Sequence, residues 1–339
     1  MNTEIPEGLY YEKLVEEKII CQLCPHNCVI NSGKTGKCKV RRNLGGILQI
    51  LSYGFPSAIN TDPIEKKPLY HFYPTRKILS IGTLGCNMNC FFCQNHGISQ
   101  FGSDTLNTRD AIYPESIIRT LLNDPDNLGI AFTYNEPVVF YEYMKDIALL
   151  SKEAGYKNFM VSNGFMSEKP LKRLFTFIDA FNIDLKGFTN DFYKRHTSAS
   201  IEPVKKNLIS INKSNAHLEI TNLLIPGLND SDKDFLNMIS WIRNELGADT
   251  PLHISRYYPN YKSDIPPTLA KDLKNKYFMA KDQLDYVFLG NYQEPGFANT
   301  YCPGCQEMII ERSNYKIKLV NLSSDGKCTS CGTQILKHF

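Results

Sequence analysis

The chain has 339 residues, a net charge of +3, 42% hydrophobic residues and 22% charged ones. So balanced a charge argues against a dedicated nucleic-acid binder, which carries a clustered basic face, and the length fits one large α/β domain with extensions or two to three domains. No apolar run approaches the roughly 18–20 residues that span a bilayer, and the opening MNTEIPEGLYYEKL has neither the basic start nor the apolar stretch of a signal peptide; the cytoplasm is the expected compartment.

Residues 1–75 show no strong helix or strand period after the opening segment. They hold Cys21, Cys24, Cys28 and Cys38 and several glycines, and read as a small Cys-rich, metal-stabilised module. From about residue 77 the texture changes. The apolar runs KILSIGT (77–83), LGIAFTY (128–134), NFMVSNG (158–164), DAFNIDLKG (179–187), LEITNLLIPG (218–227), PLHISRYYP (251–259) and DYVFLGN (285–291) predict buried strands. Segments of helical period lie between most of them. VVFYEYMKDIALLSKEAG and DKDFLNMISWIRNELG end at Gly155 and Gly247, consistent with C-terminal caps. Alternating strands and helices imply a parallel sheet with right-handed crossovers, here a partial or full (β/α) TIM-like barrel over 76–296, with an open doubly wound sheet as the alternative. In the tail, 297–339, YCPGC and CTSC flank a β-like stretch, which predicts a separate zinc-ribbon-like domain.

Eleven cysteines is an odd number, and without a secretion signal they do not suggest a disulfide framework. They fall into sets of four, three and four, and soft thiolate sets suit zinc or iron–sulfur clusters. The central set, CNMNCFFC (86–93), directly follows the first predicted barrel strand. Its three thiolates, Cys86, Cys90 and Cys93, can hold three corners of a [4Fe–4S] cubane and leave the fourth iron open. An open iron can chelate the amino and carboxylate groups of a methionine moiety, which sets a sulfonium beside a reducing cluster. The alternative is a three-cysteine zinc site completed by His96 or His71.

CxxxCxΦC, with Phe92 as the aromatic, is the signature of the radical S-adenosylmethionine (SAM) superfamily. The surrounding DPIEKKPLYHFYPTRKILSIGTLGCNMNCFFCQNHGIS, with CxLCPHxC, TYNEP, DLKGF, LIPGLNDS, HxSRYYPxY and the C-terminal TYCPGC, resembles the AmmeMemoRadiSam-system radical SAM proteins, relatives of the pyruvate formate-lyase activating enzymes. The resemblance runs over nearly the whole chain. It implies a radical SAM barrel, a [4Fe–4S] cluster and SAM as cofactors, and reductive SAM cleavage to a 5′-deoxyadenosyl radical.

Barrel enzymes place catalytic residues at the C-terminal ends of strands. The second strand ends in Tyr134-Asn135-Glu136-Pro137, where the resemblance puts a GGE-like motif; Glu136 is the matching acid for the SAM amino group, and Tyr134 and Asn135 replace the two glycines. An ordinary acid at a helix N-terminus is the competing reading. The third strand ends in Ser162-Asn163-Gly164, matching a TNG-like segment near the SAM methionine and ribose; Val161 stands where the activating enzymes carry an acid, against any cation that would use it. Asp184 and Lys186 share one face by period two, and buried charges need partners; the resemblance makes them a pair that contacts SAM. Thr221 stands where the activating enzymes have an Arg. His253, on the sixth strand, is a candidate for substrate binding or proton transfer, set against a satisfied core histidine.

The tail pattern Cys302-x2-Cys305 and Cys328-x2-Cys331 is that of a zinc ribbon, with rubredoxin-like iron as the alternative. For Cys21, Cys24, Cys28 and Cys38 a structural zinc is the first expectation, and an auxiliary [4Fe–4S] cluster or a site shared with the tail are the rivals; about two zinc and four iron per chain would fit the first. The function expected is a radical SAM oxidoreductase acting on an unidentified substrate, a protein among the candidates, with a flavodoxin- or ferredoxin-type electron donor and AmmeMemo-type partner proteins. The alternatives are a glycyl-radical enzyme activase and a non-catalytic zinc-ribbon binding protein with structural clusters. No membrane or nucleic-acid partner is expected.

Overall fold

Each of the seven apolar runs forms a strand of one sheet in the computed structural model, which describes residues 6–100 and 110–339. The first five residues of the expected N-terminal module lie outside the described residues.

Ahead of the main sheet come short strands. β1 (Tyr11–Lys13), β2 (Ile19–Cys21) and β3 (Cys28–Ile30) make an antiparallel sheet, and β4 (Arg41–Leu44) and β5 (Ile47–Ile50) a hairpin. The hairpin turns on Gly45 and Gly46, with φ of 60° and 79°, the left-handed pair that a tight two-residue turn requires. The sequence shows no strong period here because strands of three or four residues are too short to carry one, and are made by pairing. β6 (Ala58–Pro63) lies ahead of residue 76 yet pairs antiparallel with β7 (Lys77–Gly82), the first of the seven runs.

The remainder alternates as expected. After α1 (His96–Ser99) and α2 (Pro114–Leu122) come β8 (Asn127–Phe132), α3 (Tyr141–Glu153), β9 (Lys157–Ser162), α4 (Glu168–Leu174) and β10 (Ala180–Asp184). Then follow α5 (Asn190–Thr197), α6 (Ile201–Asn212), β11 (His217–Leu224), α7 (Asp232–Glu245), β12 (Leu252–Arg256), α8 (Ala270–Lys281) and β13 (Val287–Gly290). The strands of the sheet stand in chain order from β6 to β13, and β7 to β13 are parallel. Buried parallel strands read as continuous apolar runs, which is why all seven were visible. α3 and α7 stop where left-handed glycines follow, at Gly155 (φ 85°) and Gly247 (φ 107°). β14 (Thr300–Tyr301), β15 (Met308–Ser313) and β16 (Lys316–Leu319) form the antiparallel sheet of the tail.

One apolar core joins the sheet and helices to the N-terminal segment, through Ile19, Leu23, Ile30, Val40 and Leu48. Buried Arg41 fastens the two: its guanidinium donates to both oxygens of Glu142 on α3, at 2.8 and 3.0 Å. The tail has a core of its own, in which Cys302, Ile309 and Leu336 pack against Tyr286 and Phe288 of the β13 region. Among the described residues no helix is long and apolar enough to cross a membrane.

Candidate active site

The loop after β7 carries Cys86, Cys90 and Cys93, and two close approaches fix its path. Gly82 lies against β8, where a Cβ would come within 2.7 Å of the Thr133 carbonyl oxygen, and Gly85 takes φ 94°. Asn135 pins the same loop: its Nδ2 donates to the Gly85 carbonyl at 2.7 Å and its Oδ1 accepts from Thr83 N at 3.2 Å. The three cysteines border a cavity of about 470 Å³ at the C-terminal ends of the parallel strands, within the range of small-molecule sites. Asn135, Glu136, Ser162, Asn163, Asp184 and Thr221 line the same cavity, as do Phe92 and Lys186. Among the described lining residues there is neither a histidine nor a fourth cysteine.

The residues expected around the cluster and SAM, other than His253, therefore line one cavity, but they hold different positions. Glu136 is buried and already satisfied: Oε1 accepts from Ser162 Oγ at 2.7 Å and Val138 N at 3.1 Å, and Oε2 from Asn163 N at 2.8 Å. Burial pushes its carboxyl up to about 7, with those three donors working the other way. It is thus both the capping acid of the helical turn at Pro137–Phe140 and the group that joins the ends of β8 and β9. Asn163 passes the constraint on, donating to Asn87 Oδ1 at 2.8 Å and reaching Cys86 Sγ at 3.8 Å. Tyr134 stands at φ 71°, a conformation glycine takes freely and other residues adopt at a cost of about 1 kcal/mol or more. Its hydroxyl donates to Asp62 at 3.0 Å and its ring lies under the Lys67 ammonium.

Asp184 and Lys186 pair at 2.8 Å with side chains 32% and 18% exposed toward the cavity. Burial would lower the Lys186 ammonium, but Asp184 and the Cys90 sulfur outweigh it and hold the group above its ordinary range. Asn222 and Asn229 clamp the segment by donating to the carbonyls of Leu185 and Lys186, each at 2.7 Å. Thr221 donates to Asn182 Oδ1 at 2.8 Å. Phe92 is buried beside Phe91 and Phe192 and closes the wall behind the cysteines.

His253 is corrected. It does not line the cavity; its Nε2 lies 2.6 Å from Glu219 Oε2, and its ring packs against Tyr70 and Phe288. It sits second in β12, below the level at which that strand reaches the cavity, where Ser255 takes the place. The zinc alternative finds no histidine among the described lining residues: neither His71, whose backbone N–H donates to Glu219 and whose Nε2 lies near Thr300, nor His96, which stacks on Tyr261, borders the cavity.

Several lining residues were not singled out from the sequence, among them Lys67, Gln94, Asn95, Ser255 and Asn291. The KKP of DPIEKKPLY was a visible signal for Lys67; the others are polar loop residues whose position depends on left-handed turns such as Asn291 (φ 53°).

The fit to a cluster and SAM can be tested on these walls. Burial pushes the Cys90 thiol up to about 12 and raises Cys86 as well, so thiolates here need a cationic centre to form. Met88 N donates to Cys86 Sγ at 3.4 Å, a contact of the kind that tunes cluster sulfurs. Three thiols without a fourth ligand, beside a zwitterionic pair, match a site-open cubane with a methionine moiety. At the other end, Cys302, Cys305, Cys328 and Cys331 bring four sulfurs within 4.8 Å of one another, with pairs at 3.5 and 3.6 Å, a four-thiolate metal site.

The class these features define is present in the sequence as a radical SAM superfamily domain, which the chain matches over residues 80–239. Over nearly its full length it is similar to the uncharacterized protein MJ0808 of Methanocaldococcus jannaschii, 42% identical across 97% of this chain and 98% of that protein. It is also similar to the 7-carboxy-7-deazaguanine synthase of the same organism, 32% identical over 34% of this chain and 49% of that one. Distant homology reaches enzymes that activate glycyl-radical enzymes, such as a pyruvate formate-lyase-activating enzyme of Listeria monocytogenes, 22% identical over 47% of this chain and 66% of the relative. Among solved structures, a radical SAM methyltransferase of Sphaerobacter thermophilus covers 64% of this chain, and the match covers 67% of that one, at 15% identity and a TM-score of 0.48.

Proposed function

We propose that the protein is a radical SAM enzyme in which Cys86, Cys90 and Cys93 hold a site-open [4Fe–4S] cluster and the cavity holds SAM. The carrying observation is that these three thiols and the Asp184–Lys186 pair line one cavity with no fourth cysteine among its described walls. When bound, the cluster and SAM supply a 5′-deoxyadenosyl radical by one-electron cleavage of the sulfonium bond to C5′, and that radical takes a hydrogen atom from the substrate. Asp184 faces the ammonium of the methionine moiety and Lys186 its carboxylate. Glu136, Ser162 and Asn163 keep the ends of β8 and β9 at a fixed distance from Cys86, and Asn135 holds the cysteine loop. Phe92 excludes water behind the thiols. The C-terminal thiols take zinc: tetrahedral Zn–S bonds place sulfurs about 3.8 Å apart, close to the pairs observed at 3.5 and 3.6 Å.

Anaerobic reconstitution with dithionite and SAM should give 5′-deoxyadenosine and methionine in equal amounts, and Cys90→Ala should lose the central cluster and the cleavage together. A cluster-replete wild-type protein that leaves SAM intact overturns the reading. Calorimetry with SAM separates it from a non-catalytic zinc-ribbon protein, which has no reason to bind SAM.

A second reading, favoured by the activating-enzyme relatives, is a glycyl-radical enzyme activase, with hydrogen taken from a backbone glycine of a partner protein. Val161 and Thr221, uncharged where those enzymes carry an acid and an Arg, count against a copied pocket. A glycyl-radical signal in electron paramagnetic resonance, on mixing with such a partner, SAM and a flavodoxin- or ferredoxin-type donor, tests it.

A further inference from the structure

We propose that the groove bordered by the loop after β13 and the β15–β16 turn is where the substrate is recognised, through a carboxylate or phosphate group held by the Arg256 guanidinium. This rests on the proposed function, since it puts the reacting end of that substrate in the SAM cavity. The first observation is an unneutralised cation. Arg256, in the HxSRYYPxY stretch, ends β12 and borders a groove of about 720 Å³. Its Nε donates to the Thr268 carbonyl at 2.8 Å, and its guanidinium lies 5.1 Å from the centroid of the Tyr258 ring. Among the described residues neither terminal nitrogen meets a protein acceptor, and no carboxylate pairs with it. Glu294 is the one acid on the described walls, and it is taken by Lys274 at 3.1 Å and by the Tyr292 hydroxyl. Arg312 of β15 borders the groove as well, is 3% exposed and also has no carboxylate partner among the described residues. Its terminal nitrogens donate to the carbonyls of Ala298 and Tyr70 and to Thr300 Oγ1, so it adds charge to the wall while Arg256 keeps donors to offer. A planar guanidinium fork matches a carboxylate or phosphate with two parallel N–H donors.

The second observation is position. Successive residues of a strand point to opposite faces, and at the end of β12 Ser255 borders the SAM cavity while Arg256 borders the groove. Gln94, the residue after Cys93, and Asn291, the residue after β13, line both spaces, so the two meet there. Asn291 Nδ2 donates to the Arg256 carbonyl at 3.2 Å, which ties this wall to β12. Gly290 fits β12 so closely that a Cβ would come within 2.5 Å of Ser255 Oγ. A substrate anchored on Arg256 therefore extends past Gln94 toward the cysteine loop.

The third observation is what the tail contributes. Arg312, Ser313, Asn314 and Tyr315, at the β15–β16 turn, supply part of the groove's wall. Tyr258 and Tyr315 are 42% and 58% exposed, aromatic faces left open on the same groove as the guanidinium. Such a wall suits a flat or apolar body that carries an anionic group. The C-terminal domain thus has a part in substrate recognition, with its thiol site holding the turn in place.

Calorimetry with phenyl phosphate and with benzoate tests this, on the full-length metal-reconstituted protein at low ionic strength, where exposed charges are least screened. At least one probe should bind with a Kd of about 1 mM or tighter, and Arg256→Gln should weaken it about 10-fold or more, the value of a charge-assisted hydrogen bond. Arg256→Lys should recover part of the affinity, because the charge stays while the planar fork is lost. The tighter of the two probes tells a phosphate-bearing substrate from a carboxylate-bearing one. Binding that Arg256→Gln leaves unchanged is adventitious and overturns the inference, as does failure of both probes to bind the wild type. Should Arg256→Gln not fold, Tyr258→Leu takes its place: it should weaken the aromatic probes about 3-fold, and equal affinity overturns the inference. Protein that binds a probe through Arg256 but leaves SAM intact refutes the proposed function and keeps the anion site. Protein that cleaves SAM but binds neither probe refutes this site alone.

Discussion

Two sets of charged groups lie on adjacent strands and end differently. On β11 and β12, Glu219 has no exposure and both of its oxygens are engaged: His71 N, His217 Nε2 and His253 Nε2 donate to it at 2.7, 3.0 and 2.6 Å. Burial alone would raise its carboxyl, but the imidazole donors hold it well below the usual range. At the end of β10, Asp184 and Lys186 also pair, yet keep open faces on a cavity that three thiols share. A buried charge whose oxygens both meet protein donors and face no cavity is a structural element. A pair left open beside metal ligands is free to meet a zwitterion. What separates the two cases is whether the charge is sealed among protein donors or keeps a face on the cavity.

The sharpest way to break this comparison is Glu219→Gln. Loss of one partner from a buried charged network should cost about 3–5 kcal/mol of stability, read by anaerobic denaturant unfolding, with SAM affinity unchanged in the folded protein. Intact stability with lost SAM binding would move Glu219 to the functional side. Next in size is Lys186→Met. It should weaken SAM binding about 10- to 100-fold, the value of one or two charge-assisted hydrogen bonds, while central iron content stays at the wild-type level; equal affinity by calorimetry would remove Lys186 from the SAM site.

The smallest effect is a pH slope. Burial lowers His71 to about 3, against roughly 6.5 when unfolded. Between those values the unfolded chain binds the extra proton, so stability falls as pH drops through that window. Glu219 adds its own loss below roughly pH 4.3, where its unfolded carboxyl protonates. His71→Gln should flatten the fall of the melting midpoint between pH 6.5 and 5. A slope equal to that of the wild type would show that His71 is not held neutral.

The sequence determined the seven parallel strands, because strands covered on both faces are nearly continuous apolar runs. It also determined which thiols belong together, since CxxC and CxxxCxxC spacings close local loops regardless of the rest of the fold. Convergence of Glu136, Asn163, Asp184 and Lys186 was legible through the rule that strand ends gather on one side. The tertiary structure alone decided depth. Thr221 and His253 are register partners on neighbouring strands, yet Thr221 borders the cavity while His253 is committed to Glu219; period two gives the face of a strand, not the level at which that face opens. It decided the partners of β6 as well, whose six residues find their ladder only on β7. And it decided how close thiols stand, which spacing in sequence leaves open: packing of the surrounding loops brings the four tail sulfurs within 4.8 Å of one another.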